Sequence, residues 1–214
     1  MEPREYDAWY DTPRGSWIGE VEFSLLARLL QPDPADTLID IGCGTGYFTR
    51  RFSIDAGLRV TGVDIDRDSL GYAKSRSPGI AFVAADACRL PFAQDAFDLA
   101  AAVTSLCFVS DELRAVREMV RVTRRRFAVG LLNRHSLLHL RKGRGGGVGA
   151  YRGARWHTLP EIRSLFSALP VERLEIRTAV FFPGGTPAGR CAERMAGGGL
   201  PWGSFIAVTG SKRR

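Results

Sequence analysis

Residues 38–46 read Leu-Ile-Asp-Ile-Gly-Cys-Gly-Thr-Gly, and a second apolar run, Val-Thr-Gly-Val, ends at Asp64, eighteen residues past Gly46. A buried strand that ends in an acid and a three-glycine turn, with a neighbouring strand that ends in another acid, describes a nucleotide-type cofactor held at the carboxyl edge of a parallel sheet. Only glycine tolerates the dihedrals of so abrupt a strand-to-helix turn while leaving room for a ligand against the backbone. A carboxylate at the tip of the second strand can accept both hydroxyls of a ribose.

The acids narrow the cofactor further. A pyrophosphate fingerprint requires G-x-G-x-x-G, which the stretch Gly42-Cys43-Gly44-Thr45-Gly46-Tyr47 does not complete. Asp40, just before the turn, would repel a pyrophosphate and suits a cationic ligand. Both features favour S-adenosylmethionine, with its sulfonium and ammonium, over a nicotinamide dinucleotide.

The rest of the chain is consistent with a doubly wound α/β fold. Val21–Gln31 places Val21, Leu25, Leu26, Leu29 and Leu30 on one helical face, stopped by Pro32 and Pro34. Strands are expected at 37–41, 59–65, 80–85, 96–104 and 126–133, the fourth almost wholly apolar and therefore central. Helices are expected at 47–53, 69–75 and 111–122, so successive strands are joined by right-handed crossovers. After Asn133 the periodicity breaks: residues 134–157 hold six glycines among basic residues and histidines, a mobile lid or a disordered insert. Thr158-Leu-Pro-Glu161 is a capping box opening a helix through Leu169, and 171–182 and 204–209 are extended. The expectation is one domain over 1–214: a helical cap (1–35), a cofactor core (36–133), the insert (134–157), and a final helix and strands (158–214). The sheet is expected to be mostly parallel and seven-stranded, with an antiparallel edge strand.

Over residues 36–133 the chain resembles the class I S-adenosylmethionine-dependent methyltransferases, in particular the small-molecule group that includes ubiquinone- and biotin-pathway enzymes. Asp40-Ile-Gly-Cys-Gly-Thr-Gly46 matches that family's first motif, so the resemblance implies cofactor contacts from Asp40, Gly42, Cys43, Gly44 and Gly46. It also implies Asp64 as the ribose acid, Ile65 beside the adenine, and Asp86 and Ala87 near its amino group. Leu90-Pro-Phe92 and Ala96-Phe-Asp-Leu99 match further motifs, after which Thr104 or Ser105 is expected in the cleft. The string Val103–Val109 resembles a subgroup of unassigned substrate in which Cys107 and Phe108 replace more usual histidines. The family's Lys-Pro-Gly-Gly loop is replaced by Thr123-Arg-Arg-Arg126, a change in a surface turn.

Structural alternatives stand beside these roles. Asp40 and Asp64 could be strand-end acids, Asp86 a helix cap, Cys43 a turn filler and Cys107 a core residue. The aromatic segment Tyr6–Gly15 either folds over the cofactor, with Tyr10 at its sulfonium end and Arg14 at its carboxylate, or simply packs as a helix. His135 and His157, together with Tyr10, are the candidate catalytic groups; surface or lid placement is the alternative for the histidines. No metal is expected: the four cysteines lack paired spacing, which also indicates a reducing, cytoplasmic setting without disulfides. No apolar run reaches about 18 residues, so no membrane span is expected.

The net charge is +7, and 27 of the 30 basic residues are arginine. Ten of them fall in 121–160, which contains no acid, whereas residues 1–40 hold nine acids. The leading expectation is methyl transfer to a small-molecule acceptor, amphipathic or anionic given the arginines of the insert. RNA methylation through the basic stretch is the alternative, although no base-modifying Asn-Pro-Pro-Tyr motif follows the fourth strand. A non-catalytic cofactor-binding protein is a third reading, and nothing in the sequence sets the oligomeric state.

Overall fold

Seven strands form one mixed sheet in the computed structural model, which describes residues 2–196 and 199–213. They are β1 (Thr37–Ile41), β2 (Arg59–Asp64), β3 (Ala81–Ala84), β4 (Phe97–Val103), β5 (Thr123–Leu132), β6 (Val171–Ala179) and β7 (Phe205–Lys212). Their order across the sheet is β3-β2-β1-β4-β5-β7-β6. β1 to β5 run parallel, and β7 is reversed between β5 and β6. β4, buried from Leu99 to Val103, sits at the centre, as its apolar sequence requires.

The helices are α1 (Pro3–Trp9), α2 (Pro13–Leu30), α3 (Tyr47–Ile54), α4 (Arg67–Arg76), α5 (Glu112–Val122), α6 (Leu159–Ser167) and α7 (Pro187–Ala196). One apolar layer joins α2 and α3 to a sheet face through Leu26, Leu30, Phe52, Leu99 and Phe205. The other joins α5 and α6 to the opposite face through Val116, Met119, Phe127, Phe166 and Ile206. Strand order reverses between β1 and β4, so their carboxyl ends open a crevice at the topological switch point. No helix among the described residues is long and apolar enough to cross a membrane.

Three elements differ from the sequence expectation. α2 begins eight residues before Val21, because Thr12 accepts the Gly15 N–H and Pro13 fills the first helical position. α7 occupies part of the gap between the last two strands, where no helix was expected. The 134–157 insert folds as short helical turns over His139–Gly143, Arg144–Gly146 and Gly149–Tyr151. Its two ends are closed on each other: His157 N–H donates to Leu132 O at 2.8 Å and Arg134 N–H to His157 O at 2.9 Å. The buried Asn133 amide anchors that junction by donating to Pro201 O and Gly203 O.

Candidate active site

The crevice at the switch point holds a cavity of about 790 Å³, within the range of small-ligand sites. The glycine turn forms its floor. Gly42, Gly44 and Gly46 all have positive φ, at 71°, 52° and 80°. A Cβ at Gly42 would overlap the Ser105 side chain, whose hydroxyl donates to Ile41 O at 2.6 Å and ties the ends of β1 and β4 together. At Gly44 a Cβ would meet nothing within 4 Å. That bare backbone therefore faces open space, where a ligand can approach.

Asp40 is 2% exposed and receives one hydrogen bond, from Thr49 Oγ1 to Oδ2 at 2.6 Å. Burial, reinforced by the charge of Asp64, raises its carboxyl to about 7 against the Thr49 hydrogen bond. Asp64 is oriented by two backbone donors, Gly44 N–H to Oδ2 at 2.7 Å and Asp66 N–H to Oδ1 at 2.9 Å. Each oxygen keeps a second lone pair for a ligand. Asp86 accepts the Cys88 N–H at 2.8 Å through Oδ1, a local cap that leaves Oδ2 unused among the described residues.

Tyr10, Cys43, Ile65, Ala87 and Thr104 join Asp40, Gly42, Gly44, Asp64 and Asp86 on the cavity wall. Gly46 does not line it; its left-handed backbone starts α3 instead. Thr104 has φ 56° and its hydroxyl donates to its neighbour Val103 O, so this wall position carries backbone strain. Ile65 is 71% exposed at the rim, an apolar face open to a ring. Cys43 has its thiol pushed up by burial and by the Asp40 and Asp64 charges, the opposite of nucleophile activation. Burial raises the Cys107 thiol to about 12, consistent with a core position.

The amino-terminal segment closes one side. Tyr10 is buried and stacks on Tyr47 with ring centroids 3.6 Å apart, while Tyr6 meets it edge-on at 5.9 Å. α1 is latched to the glycine turn by a cluster invisible in the sequence. Arg50 Nη2 donates to both oxygens of Asp7, at 2.7 and 3.0 Å, and Thr45 Oγ1 donates to Asp7 Oδ1 at 2.9 Å. Arg50 also donates to Thr45 O, so the ion pair grips the turn itself.

Two candidate catalytic groups lie elsewhere. His135 is exposed and does not line the cavity. His157 is buried, with Nε2 2.8 Å from Glu112 Oε1, and lines a second cavity of about 500 Å³ with Glu112, Arg134 and Arg155. The closure of the insert onto Leu132 carries His157 to that side. Arg14 donates to Pro183 O at 2.6 Å and likewise does not line the cofactor cavity. Five of the ten basic residues in 121–160 are spent on carboxylates: Arg121 on Glu118, Arg124 on Asp98, Arg125 on Asp33 and Asp36, Arg134 on Glu161, and Arg155 on Glu112. The acid-free run is therefore partly neutralised by acids from other parts of the chain.

Residues 39–126 match the family model of a methyltransferase domain. A structure from Thermotoga maritima, described as an S-adenosylmethionine-dependent methyltransferase and possible histamine N-methyltransferase, superposes with a TM-score of 0.78 at 25% identity, covering 98% of this chain and 95% of that one. These likenesses mark residues 39–126 as the core of a class I S-adenosylmethionine-dependent methyltransferase domain. An uncharacterised protein of Mycobacterium tuberculosis is 35% identical over 76% of this chain and 55% of its own length. A demethylmenaquinone methyltransferase of Renibacterium salmoninarum is 37% identical over 42% of this chain and 38% of its own. The chain thus spans about half, or less, of these curated relatives' length.

The cavity fits the family's cofactor. The open face of Gly44, the half-satisfied buried carboxylate of Asp40, the spare lone pairs of Asp64 and the apolar rim at Ile65 supply complements to a methionine backbone, a cation, a ribose and an adenine. Tyr6 and Gly149–Ala150 lie in segments the sequence assigned to the closing of the site, whereas the Asp7–Arg50 latch escaped the sequence reading.

Proposed function

We propose that this protein transfers the sulfonium methyl of S-adenosylmethionine to a small-molecule acceptor. The observation that carries the reading is Asp40: a buried carboxylate with a single hydrogen bond, set at the turn of a cavity whose charged walls are all acidic, wants a cationic ligand. When bound, the cofactor supplies an already activated methyl group, displaced in line by the acceptor's nucleophile. Asp40 and the bare Gly44 backbone hold the amino-acid end, Asp64 the ribose, and Ile65, Asp86 and Ala87 the adenine. Tyr10, pressed onto Tyr47, excludes water over the reacting end, which favours a displacement whose charge is dispersed in the transition state. No residue has to act as nucleophile, so proximity within the cavity supplies much of the acceleration.

The acceptor side is formed by α1, by the turn at residues 104–109 and by Gly149 and Ala150 of the insert, which serves as a lid. The pairing of much of the basic stretch with carboxylates, and a cavity wall whose charges are all acidic, favour a small molecule over a polynucleotide. Incubation with methyl-labelled S-adenosylmethionine and fractionated host extract tests the reading. A labelled small-molecule product is expected; label confined to tRNA or rRNA would overturn it.

A further inference from the structure

The insert between β5 and α6 is packed on one side only. From Leu137 it makes a helical turn that runs to Gly143 and meets the short turn Arg144–Gly146. Its inner side is spent. Leu138 and Trp156 are buried, His139 meets Trp156 edge-on at 5.0 Å, and Tyr151 lies against the same indole at 5.6 Å. The outer side carries Leu137, Leu140 and Arg141, spaced i, i+3, i+4 and therefore on one face, with Arg144 following at its end. Leu137 is 39% exposed and Leu140 51%. Val148, 47% exposed, is held beside the turn by its N–H bond to Lys142 O at 3.0 Å.

Charge gathers on the same segment. Arg141, Lys142, Arg144 and Arg152 are exposed, and none makes an ion pair among the described residues. The ion pairs of the insert lie at its ends, Arg134 to Glu161 and Arg155 to Glu112. No acid occurs from 121 to 160, so nothing in the segment neutralises the four cations. The cofactor cavity is next door: Gly149 and Ala150, which follow Val148, line its wall together with Phe108. Arg155 N–H donates to Cys107 O at 2.7 Å, which fixes the insert against that part of the wall. Exposed leucines beside unpaired cations are the chemistry of an interfacial segment. Leucine enters the acyl boundary, while arginine lays its stem along it and keeps its head among phosphates. A polynucleotide would use the cations but gain nothing from Leu137, Leu140 and Val148.

We propose that the insert docks this protein on an anionic lipid surface. Leu137, Leu140 and Val148 enter the headgroup boundary, and Arg141, Lys142, Arg144 and Arg152 meet lipid phosphates. The cavity wall formed by Gly149, Ala150 and Phe108 then sits beside the bilayer. The contact is peripheral and reversible, because three aliphatic side chains bury little area and each cation near an anionic surface is worth about fivefold in binding. Docking stands independently of methyl transfer, since none of these seven side chains lines the cofactor cavity.

Co-sedimentation with vesicles of phosphatidylcholine, alone or mixed with phosphatidylglycerol, tests this. The full chain should partition about tenfold or more better onto the anionic vesicles, a preference that fades as salt rises. Combining Arg141→Gln, Lys142→Gln and Arg144→Gln should weaken partition about tenfold or more, and Leu137→Ser with Leu140→Ser about threefold or more. Arg28→Gln, Lys74→Gln and Arg76→Gln together remove the same charge from the last turns of α2 and α4, at the sheet edge away from the cavity. That control should change partition by less than about threefold. Every substituted position is exposed, so each variant should melt as the wild type does. Equal partition of the wild type onto both vesicle types overturns the proposal without any variant. So does an equal loss in the α2 and α4 control, which would reduce the effect to net charge. Undiminished partition by the leucine variant, with tRNA bound more tightly than vesicles, would make the surface a polynucleotide site instead. Self-association of the wild type that the leucine variant abolishes would make it an interface between copies.

Discussion

Asp40 makes cofactor binding a pH-dependent event whose size follows from its surroundings. In the free protein its carboxyl lies at about 7, against a usual 3.8, because it is buried beside Asp64 with only Thr49 to support the charge. A cation bound next to it favours the ionised form, so binding below pH 7 must release a proton. The dissociation constant for S-adenosylhomocysteine, which keeps the ammonium, should therefore rise about tenfold per pH unit below 7, approaching a hundredfold between pH 8 and pH 5, or about 3 kcal/mol. Stability has the opposite sign. A carboxyl raised on folding is stabilising when protonated: its contribution is fully present below about pH 4 and is lost as pH rises to 7. Holding the carboxyl that far above its usual range corresponds to at most about 4 kcal/mol. Asp40→Asn keeps the Thr49 hydrogen bond and removes that cost, so the ligand-free variant should melt several degrees higher than wild type at pH 8. It should also bind the cofactor product poorly, with no pH dependence from this site. Calorimetry from pH 5 to 8 and thermal melts check both halves. A flat affinity profile in the wild type, or full affinity in Asp40→Asn, would refute the role given to this carboxylate.

Further outcomes follow from the same geometry. Asp64→Ala removes the ribose acceptor and the support of two backbone N–H groups, so the thermal shift produced by S-adenosylhomocysteine should shrink as affinity falls about 10- to 100-fold; an undiminished shift would contradict the assignment. Gly42→Ala places a Cβ against Ser105 at a φ of 71° and should cost about 2–4 kcal/mol in urea unfolding. Asp7→Asn breaks an ion pair whose side chains are 8% and 18% exposed and should cost about 2 kcal/mol; in a double-mutant cycle, Arg50→Met on that background should cost far less than it does alone.

How legible each part was depends on how far apart its pieces lie in the chain. The cofactor floor is written in one stretch, Leu38–Gly46: a five-residue strand, an acid, and glycines whose conformations no other residue adopts cheaply. Asp64 is readable because an apolar run with a fixed terminus gives its position without knowledge of the fold. Asp7 is different. In sequence it is one acid in an amino-terminal helix, and it joins the site only when α1 folds back so that Arg50 and Thr45 reach it. His157 reads as a lid residue until β5 captures its backbone and turns it towards Glu112. α7 escaped because Gly189 weakens its helix signal; its start depends on Thr186, whose Oγ1 accepts the Gly189 N–H, and Glu193 binds it to Val180 and Phe181.

The same distinction explains why bulk charge misleads for this chain. A net charge of +7 describes the outer surface, where arginines pair with acids or meet solvent, and salt screens such charges over about 8 Å. Within the cavity screening is weaker, and the field is set by four aspartates on the wall. A polyanion drawn to the exterior would gain nothing from that interior, whereas a small cation would be increasingly favoured as it moved inward. The cofactor proposed for this cavity is a cation, so it is drawn by the interior field. Transfer of the methyl group converts the sulfonium into a neutral thioether. That loss of charge weakens the hold of the cavity on the spent cofactor, which favours its release after each turnover.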